Sequence, residues 1–497
     1  MKKQSLWLDA AAPPQFPQPK GLIKVDVLVV GGGITGLTTG YLLKQAGRSV
    51  AIVDQKSIGG GETSHTTAHI TFVTDARLHE LVSRLGAKEA QALWGAGHRA
   101  MRQIEKTVHE LKVDCELKRI PGYLFAAVDK DSATESKSLQ EDTLLANEYG
   151  FDAAFMPSDP LFNRPAVRFP NQLKFHPLKY VNALAKAIVG DDCHVFSETS
   201  GSNVDSENHE LHTADGTISY DSVVAATHVP IQGERGTFGA ALFQTKLAGY
   251  STYALEAEIK PMTESLYWDT NDPYLYLRFD QRGDSSFVII GGEDHKTGQA
   301  ENTEARYQTL EKILRTTFPT AKLKHRWSGQ VVETTDGLPY IGEVGPGQYL
   351  ATGFSGNGMT LGTFSGMLIR DLITGKSNPW TGLFSPNRKS VSGTWDYVRE
   401  NKDFLAYFVK DWLEPSSPLE EIKRNNGGVF KIAGKKRAIY CNAKGKRTVL
   451  SPVCPHMGCI VAWNDAEKTW DCPCHGSRFT ATGELIAGPA ESNLATE

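Results

Sequence analysis

Along the first part of the chain, apolar residues come in short β-branched runs that glycine interrupts. Residues 25–30 (Val-Asp-Val-Leu-Val-Val) predict a strand, Gly31 to Gly36 a turn, residues 37–45 a helix, and residues 49–53 a second strand ending in Asp54. Leu93, Ala96, Ala100, Ile104, Val108 and Leu111, with Met101 beside them, recur at the spacing of an amphipathic helix whose apolar stripe is core. The alternation from Cys193 onward and the run 222–228 (Ser-Val-Val-Ala-Ala-Thr-His) read as returning strands, with His228 at a strand's C-terminal end or in the loop after it. From 250 to 292 the pattern is of period two, and it puts Tyr274, Tyr276 and Arg278 on one face of a sheet. Residues 375–395 shift to Gly, Pro, Ser, Asn and Lys, as a linker does. Phe404, Phe408 and Trp412, with Tyr397 ahead of them, then predict an aromatic-faced helix before Pro415. From 427 on, short β segments with Gly and Asn turns predict a small all-β unit.

A chain of 497 residues holds about two to four domains of ordinary size. The expected units are a lead-in (1–24), an α/β domain with an antiparallel-sheet subdomain (25–375), a linker with a connecting helix (376–415) and the all-β domain (416–497). Composition is that of a globular protein, 40% hydrophobic and 22% charged with a net charge of −4, which gives no ground for a nucleic-acid partner. Lys435, Lys436 and Arg437 read as a solvated turn. Met-Lys-Lys at the start is followed by Asp9 and four prolines by position 19 rather than an apolar core, so no secretory signal is expected. The most apolar long stretch, 349–369, is broken by five glycines, so no integral membrane segment is expected and a cytoplasmic location is.

Candidate chemistry sharpens this outline at two places. Gly31-x-Gly33-x-x-Gly36 lies at a strand-to-helix turn, where the glycines allow the tight bend, the approach of a pyrophosphate and close helix–strand contact. Asp54 follows eighteen residues after Gly36, where an acid binds ribose hydroxyls, and the combination predicts a dinucleotide site. The stretch Gly59-Gly60-Gly61-Glu62-Thr63-Ser64-His65-Thr66-Thr67-Ala68-His69 resembles the second flavin-contacting segment of the D-amino-acid oxidase, glycine oxidase and sarcosine oxidase superfamily. Asp336-Gly337-Leu338-Pro339-Tyr340-Ile341-Gly342 is similar to the late motif of that family, and Gly353-Phe354-Ser355-Gly356-Asn357-Gly358-Met359-Thr360 to its closing glycine loop. The resemblance spans roughly residues 25–375 and implies FAD rather than NAD, with Ser64, Gly353, Gly356, Gly358 and Met359 among its contacts. It also implies that the 250–292 sheet roofs the flavin and clamps a substrate carboxylate, for which Arg278 with Tyr276 are the candidates. His65 and His69 read either as proton donors beside the flavin or as hydrogen-bonded structural residues. Glu62, His65 and His69 also have the composition of a mononuclear iron site.

Four of the seven cysteines gather in Cys-Pro-His-Met-Gly-Cys (454–459) and, twelve residues later, Cys-Pro-Cys-His-Gly-Ser (472–477). Thiols and imidazoles at such spacing can hold zinc, which needs four of the six groups. The two loops resemble the Rieske iron–sulfur family, in which two thiolates hold one iron and two imidazoles the other. That resemblance implies a [2Fe-2S] cluster on Cys454, His456, Cys472 and His475, a disulfide between Cys459 and Cys474, and Ser477 as a hydroxyl donor to a cluster sulfur. Phe479 stands where the high-potential branch carries a tyrosine, so a potential in the middle or lower part of the Rieske range of about −150 to +300 mV is expected. Cys115, Cys193 and Cys441 are expected to be isolated buried thiols.

Together the two resemblances imply a flavin-dependent oxidoreductase with its own electron exit. It would oxidise a small amine, amino acid or hydroxy acid and pass electrons singly to the cluster, and then to a redox protein, a quinone or oxygen. A redox-sensing binding protein without turnover, and a Rieske-type oxygenase, are the alternatives.

Overall fold

Two apolar runs, residues 27–30 and Val50–Val53, lie parallel at the centre of the first sheet and are buried along their whole length. Strands covered on both faces must be apolar on both, which is why neither run alternates. The structure is a computed structural model and describes residues 1–230, 246–388 and 422–497. In its first sheet the strand order is Tyr340–Gly345, Gln348–Thr352, Gly216–Ala225, Gly21–Val30, Val50–Val53 and His194–Phe196. Gly216–Ala225 runs parallel to Gly21–Val30 over its length. The helices Ile34–Gln45, Pro177–Ile188 and Gly358–Ile373 contribute their apolar faces to the main core, together with Ala87–Leu111. On that last helix Leu93, Ala96, Ala100, Met101 and Ile104 are buried and Val108 and Leu111 half-buried, the stripe that the spacing predicts.

The second sheet is the roof. Its order is Lys322–Thr334, Leu247–Ile259, Ser285–Lys296, Tyr276–Arg282, Leu266–Asp269, Lys118–Phe125, Ala166–Lys174 and His69–Ile70. Most neighbours are antiparallel, as alternation over 250–292 predicts, and only Leu266–Asp269 with Lys118–Phe125 is parallel. One irregularity matters for the site. Ser251 pairs with His295 and Tyr253 with Gly292, so Glu293 and Asp294 together face the single residue Thr252. This is a β-bulge, and Glu293 takes a positive φ of 60° within it.

The ends of the first domain are built in rather than loose. Within the expected lead-in, the helix Leu6–Ala10 buries Trp7, whose indole donates to the Thr66 carbonyl at 2.6 Å. The start of the expected linker also folds back. Trp380 donates to the Ala92 carbonyl at 2.8 Å, and the Arg388 guanidinium holds the Asp336 carboxylate at 2.7 and 2.8 Å. The aromatic helix expected around Tyr397, Phe404, Phe408 and Trp412 lies outside the described residues.

The C-terminal domain is two small antiparallel sheets, Asn426–Ile432 with Lys435–Cys441 and Arg447–Leu450, and Ala462–Asn464 with Thr469–Asp471, Arg478–Thr480 and Leu485–Ala487. Its core centres on Trp470 and Phe479, both fully buried, with Trp463 half-buried against it.

Candidate active site and metal centre

At the strand-to-helix turn the three motif glycines do different work. A Cβ on Gly31, whose φ is +111°, would sit 2.3 Å from the Ala226 carbonyl oxygen, and one on Gly36 would sit 1.9 Å from that of Gly31. Chain contacts alone therefore fix those two. A Cβ on Gly33 would meet only Thr63 Oγ1, at 3.1 Å, and Gly33 lines a cavity of about 330 Å³. It is the position kept clear for a ligand. The first turn of the helix behind it has no intrahelical acceptors for the N–H groups of Thr35 and Gly36, which suits an anion. Asp54 lines the same cavity and accepts the Gly32 and Lys56 N–H groups at 2.7 and 2.8 Å, while burial raises its pKa. Gly353, Gly356, Gly358 and Met359 line the far side, where the helix Gly358–Ile373 begins. Ser64 does not line the cavity, since its hydroxyl donates to the Gly61 carbonyl at 2.8 Å. An open cradle, a helix N-terminus and a carboxylate in one cavity fit the diphosphate and ribose of FAD.

On the roof side, Tyr276 lines this cavity and its hydroxyl pairs with Thr252 Oγ1 at 2.8 Å. Arg278 does not reach it. Two residues on, about 7 Å along the strand, the loop carrying Thr67 and Ala68 covers the sheet. The guanidinium is 1% exposed, donates to both carbonyls at 3.1 and 3.0 Å, pairs with Asp280 at 3.1 Å and lies over the Trp7 ring. The shared face that the alternation predicts places Arg278 under a loop, not beside a substrate, so the expected carboxylate clamp is corrected.

His65 and His69 both line the cavity. The ring Nδ1 of His65 is 3.1 Å from the Gly61 carbonyl, and Nε2 of His69 is 3.1 Å from that of Leu277. Burial pushes His69 down to about 4, so it is neutral. Glu62 instead accepts the Gln330 N–H at 2.7 Å. These three side chains point at separate backbone partners rather than at a common point. His228 lies in the loop after Gly216–Ala225 and lines the cavity, its pKa lowered by burial.

Asp75 and Asp294 are among the cavity carboxylates that the sequence reading misses. Asp75 accepts the Gly356 N–H at 2.8 Å and the Tyr274 hydroxyl at 3.0 Å. Asp294, thrown inward by the bulge, is pushed up to about 7, chiefly by burial and secondarily by Asp75, Asp272 and Glu293. The break of the strand pattern at Gly291-Gly292 was the available signal. A second, wider cavity of about 760 Å³ shares Asp75, Asp294, Tyr274 and Phe354 with the first and ends on Pro473, Cys474, His475 and Gly476.

In those loops the Cys454 and Cys472 thiols are in hydrogen-bond contact, which lowers the pKa of Cys454, and Ser477 adds its hydroxyl to Cys454. The rings of His456 and His475 lie 4.9 Å apart, and burial pushes each down to about 4, leaving neutral imidazoles of the kind metals bind. Cys459 and Cys474 are joined in a disulfide across the two loops, with Cα atoms 6.5 Å apart. Two paired thiols, two neutral imidazoles and a hydroxyl beside one sulfur fit a Rieske cluster. Cys115, Cys193 and Cys441 are free and buried.

The cluster loop is held against the flavin domain. Gln330 Nε2 donates to the Gly476 carbonyl at 2.8 Å, Gln299 Nε2 to that of Pro473 at 3.0 Å, and the Tyr307 hydroxyl to Glu467 at 2.7 Å. At the nucleotide end, Lys56 donates to the Ile486 carbonyl at 2.6 Å, and residues 485–488, 490 and 491 close the first cavity.

A two-sheet flavoprotein fold joined to an iron–sulfur domain defines the class. The profile of the FAD dependent oxidoreductase family matches residues 26–372 and that of the Rieske [2Fe-2S] domain residues 414–496, so the chain belongs to the FAD dependent oxidoreductase family and carries a C-terminal Rieske domain. FAD and one [2Fe-2S] cluster are its cofactors. YhfW of Bacillus subtilis (strain 168), described as a Rieske 2Fe-2S iron-sulfur protein, is 30% identical over 98% of this chain and 96% of its own. Gamma-glutamylputrescine oxidoreductase of Escherichia coli (strain K12) is 24% identical over 71% of this chain and 84% of its own. Among solved structures, glycine oxidase of Geobacillus kaustophilus superposes with a TM-score of 0.60 at 21% identity, covering 74% of this chain and 99% of that one. No helix among the described residues is long and apolar enough to cross a membrane.

Proposed function

We propose that this protein dehydrogenates a small amine or amino acid and passes the electrons, one at a time, to its own cluster and on to a redox protein, a quinone or oxygen. FAD supplies the chemistry of accepting a hydride from the C–H bond beside the substrate nitrogen, leaving an imine that water hydrolyses. The chain's own residues do the rest. Gly33, the first helical turn and Asp54 hold the diphosphate and ribose. Tyr276, His69 and the bulge bound the reacting end and keep water from it. His69 stays neutral, with its one N–H donated to the Leu277 carbonyl, so it borders the site without adding charge.

The observation that carries the electron route is the second cavity, in which His475 and Cys474 share walls with Phe354, Tyr274 and Asp294. The substrate class draws support from the relative named for gamma-glutamylputrescine and the fold neighbours named for glycine and L-proline. Anaerobic mixing of the holoprotein with amines and amino acids tests the reading: flavin absorbance should bleach first and the EPR signal of the reduced cluster grow in afterwards. Bleaching that never reaches the cluster would remove the internal route.

A further inference from the structure

We infer that the substrate is a cationic amine without an α-carboxylate, and that Asp294 is the residue that anchors its positive charge. This rests on the reading of the cavity as an amine-oxidising site and narrows it. Among the described residues, the walls common to both cavities carry four carboxylates, Asp75, Asp269, Asp294 and Glu333, and neither lysine nor arginine. Arg278, the carboxylate clamp nominated from the sequence, is spent on Asp280 and two carbonyls. Lys56, on the first cavity, is at the nucleotide end and donates to Ile486. Arg77, Arg84, Lys246 and Lys296 line only the wider cavity, and Arg77 is paired with Glu135 and Asp142.

Among the four acids the partners differ. Asp269 accepts the Asn271 and Leu275 N–H groups at 3.1 and 3.0 Å, and Asp75 is taken by Gly356 and Tyr274. Asp294 lies beside the Thr252 hydroxyl, which is also 2.8 Å from the Tyr276 hydroxyl. Its oxygen Oδ1 is buried and has no hydrogen-bond partner among the described residues. A buried carboxylate oxygen without a donor is costly, and an ammonium group supplies both the donor and the charge. Trp268, Tyr274 and Phe354 add aromatic faces to the same walls, which favour a cation further. A substrate carboxylate would instead face four acidic side chains.

The test uses holoprotein with FAD and cluster in place. tert-Butylammonium carries both the charge and N–H donors but no C–H bond beside its nitrogen, so it cannot be dehydrogenated and reports binding alone through its perturbation of the flavin spectrum. It should saturate, while butanoate, an anion of similar size, should leave the spectrum unchanged. Asp294→Asn should weaken the cation at least tenfold with unchanged FAD content and cluster EPR signal, and Asp294→Glu should retain most of the affinity. Butanoate binding tighter than the cation, or an Asp294→Asn protein that binds the cation like the parent, overturns the assignment. In anaerobic bleaching, n-butylamine should outpace 2-aminobutanoate at least tenfold. The reverse order overturns the inference and leaves amine oxidation standing, whereas cation binding with no bleaching by any amine or amino acid overturns the proposed function and leaves the anchor in place.

Discussion

At the scale of single residues, each site turns on where one proton sits. Ser477 Oγ accepts the Ala490 N–H at 3.0 Å, so its own proton is free for the Cys454 sulfur. A bond of this kind, worth about 1 kcal/mol more to the reduced cluster than to the oxidised one, is worth roughly 40 mV in a one-electron couple. Ser477→Ala should therefore lower the midpoint by about that much in an EPR-monitored titration, and a midpoint that stays put would remove Ser477 from the cluster's tuning groups. Phe479, buried and without a hydroxyl, adds no such bond, so the parent itself should titrate below the top of the Rieske range. Asp294 gives a second expectation. The groups set against it are Asp75, Asp272 and Glu293, all of which raise it, while the Thr252 hydroxyl lowers it. Its pKa of about 7 lies above the ordinary value, so below pH 7 the folded protein holds a proton there and the anchor is neutral. Affinity for tert-butylammonium should thus fall as pH drops through 7, approaching tenfold per unit. By the same linkage this carboxyl adds to stability at low pH, and the contribution is lost as pH rises through 7.

At the scale of elements, what the sequence made readable was chemistry that needs fixed residue types at short spacing. Gly31 to Gly36 with Asp54, and the two Cys-His loops, are contiguous or nearly so, and the elements around them follow from runs that are apolar on both faces. The cavity's roof was legible as strands but not as a site. Alternation puts Tyr276 and Arg278 on one face, yet which of the two meets the cavity depends on where a loop from residue 67 crosses the sheet. Asp294 was hidden for a related reason: a bulge between Leu247–Ile259 and Ser285–Lys296 sets its direction, and two strands are needed to define a bulge. The turn after it shows the same dependence on tertiary partners. A Cβ on Gly298, which has a φ of +79°, would lie 2.7 Å from the Pro473 nitrogen and 2.8 Å from the Cys472 carbonyl carbon, so the turn and the cluster loop touch backbone to backbone. Gly298→Val should push the loop away. In rapid mixing, flavin bleaching should keep its parent rate while cluster reduction slows, and equal slowing of both would mean that the contact serves the flavin site instead.

At the scale of the whole molecule, the cluster domain is placed as part of the flavin domain's wall. Its loops meet that domain at two separated zones, Pro473 to Gly476 beside the wider cavity and Leu485 to Glu491 over the nucleotide end. Between them Thr303 donates to Asn464 at 2.8 Å, and Ala466 is buried in the core of the second sheet. Moving the domain as a unit would break hydrogen bonds from Lys56, Gln299, Thr303, Tyr307 and Gln330 at once and expose that apolar contact. Each such bond contributes about 1 kcal/mol, so a detached state is sparsely populated. Internal electron transfer should therefore need no swing of the domain. Its rate, measured as cluster reduction after flavin bleaching, should be unchanged when sucrose raises the viscosity severalfold and when protein concentration is varied tenfold. A rate that falls with viscosity would show that the docked arrangement must open for electrons to pass, and one that rises with concentration would show that they pass between molecules.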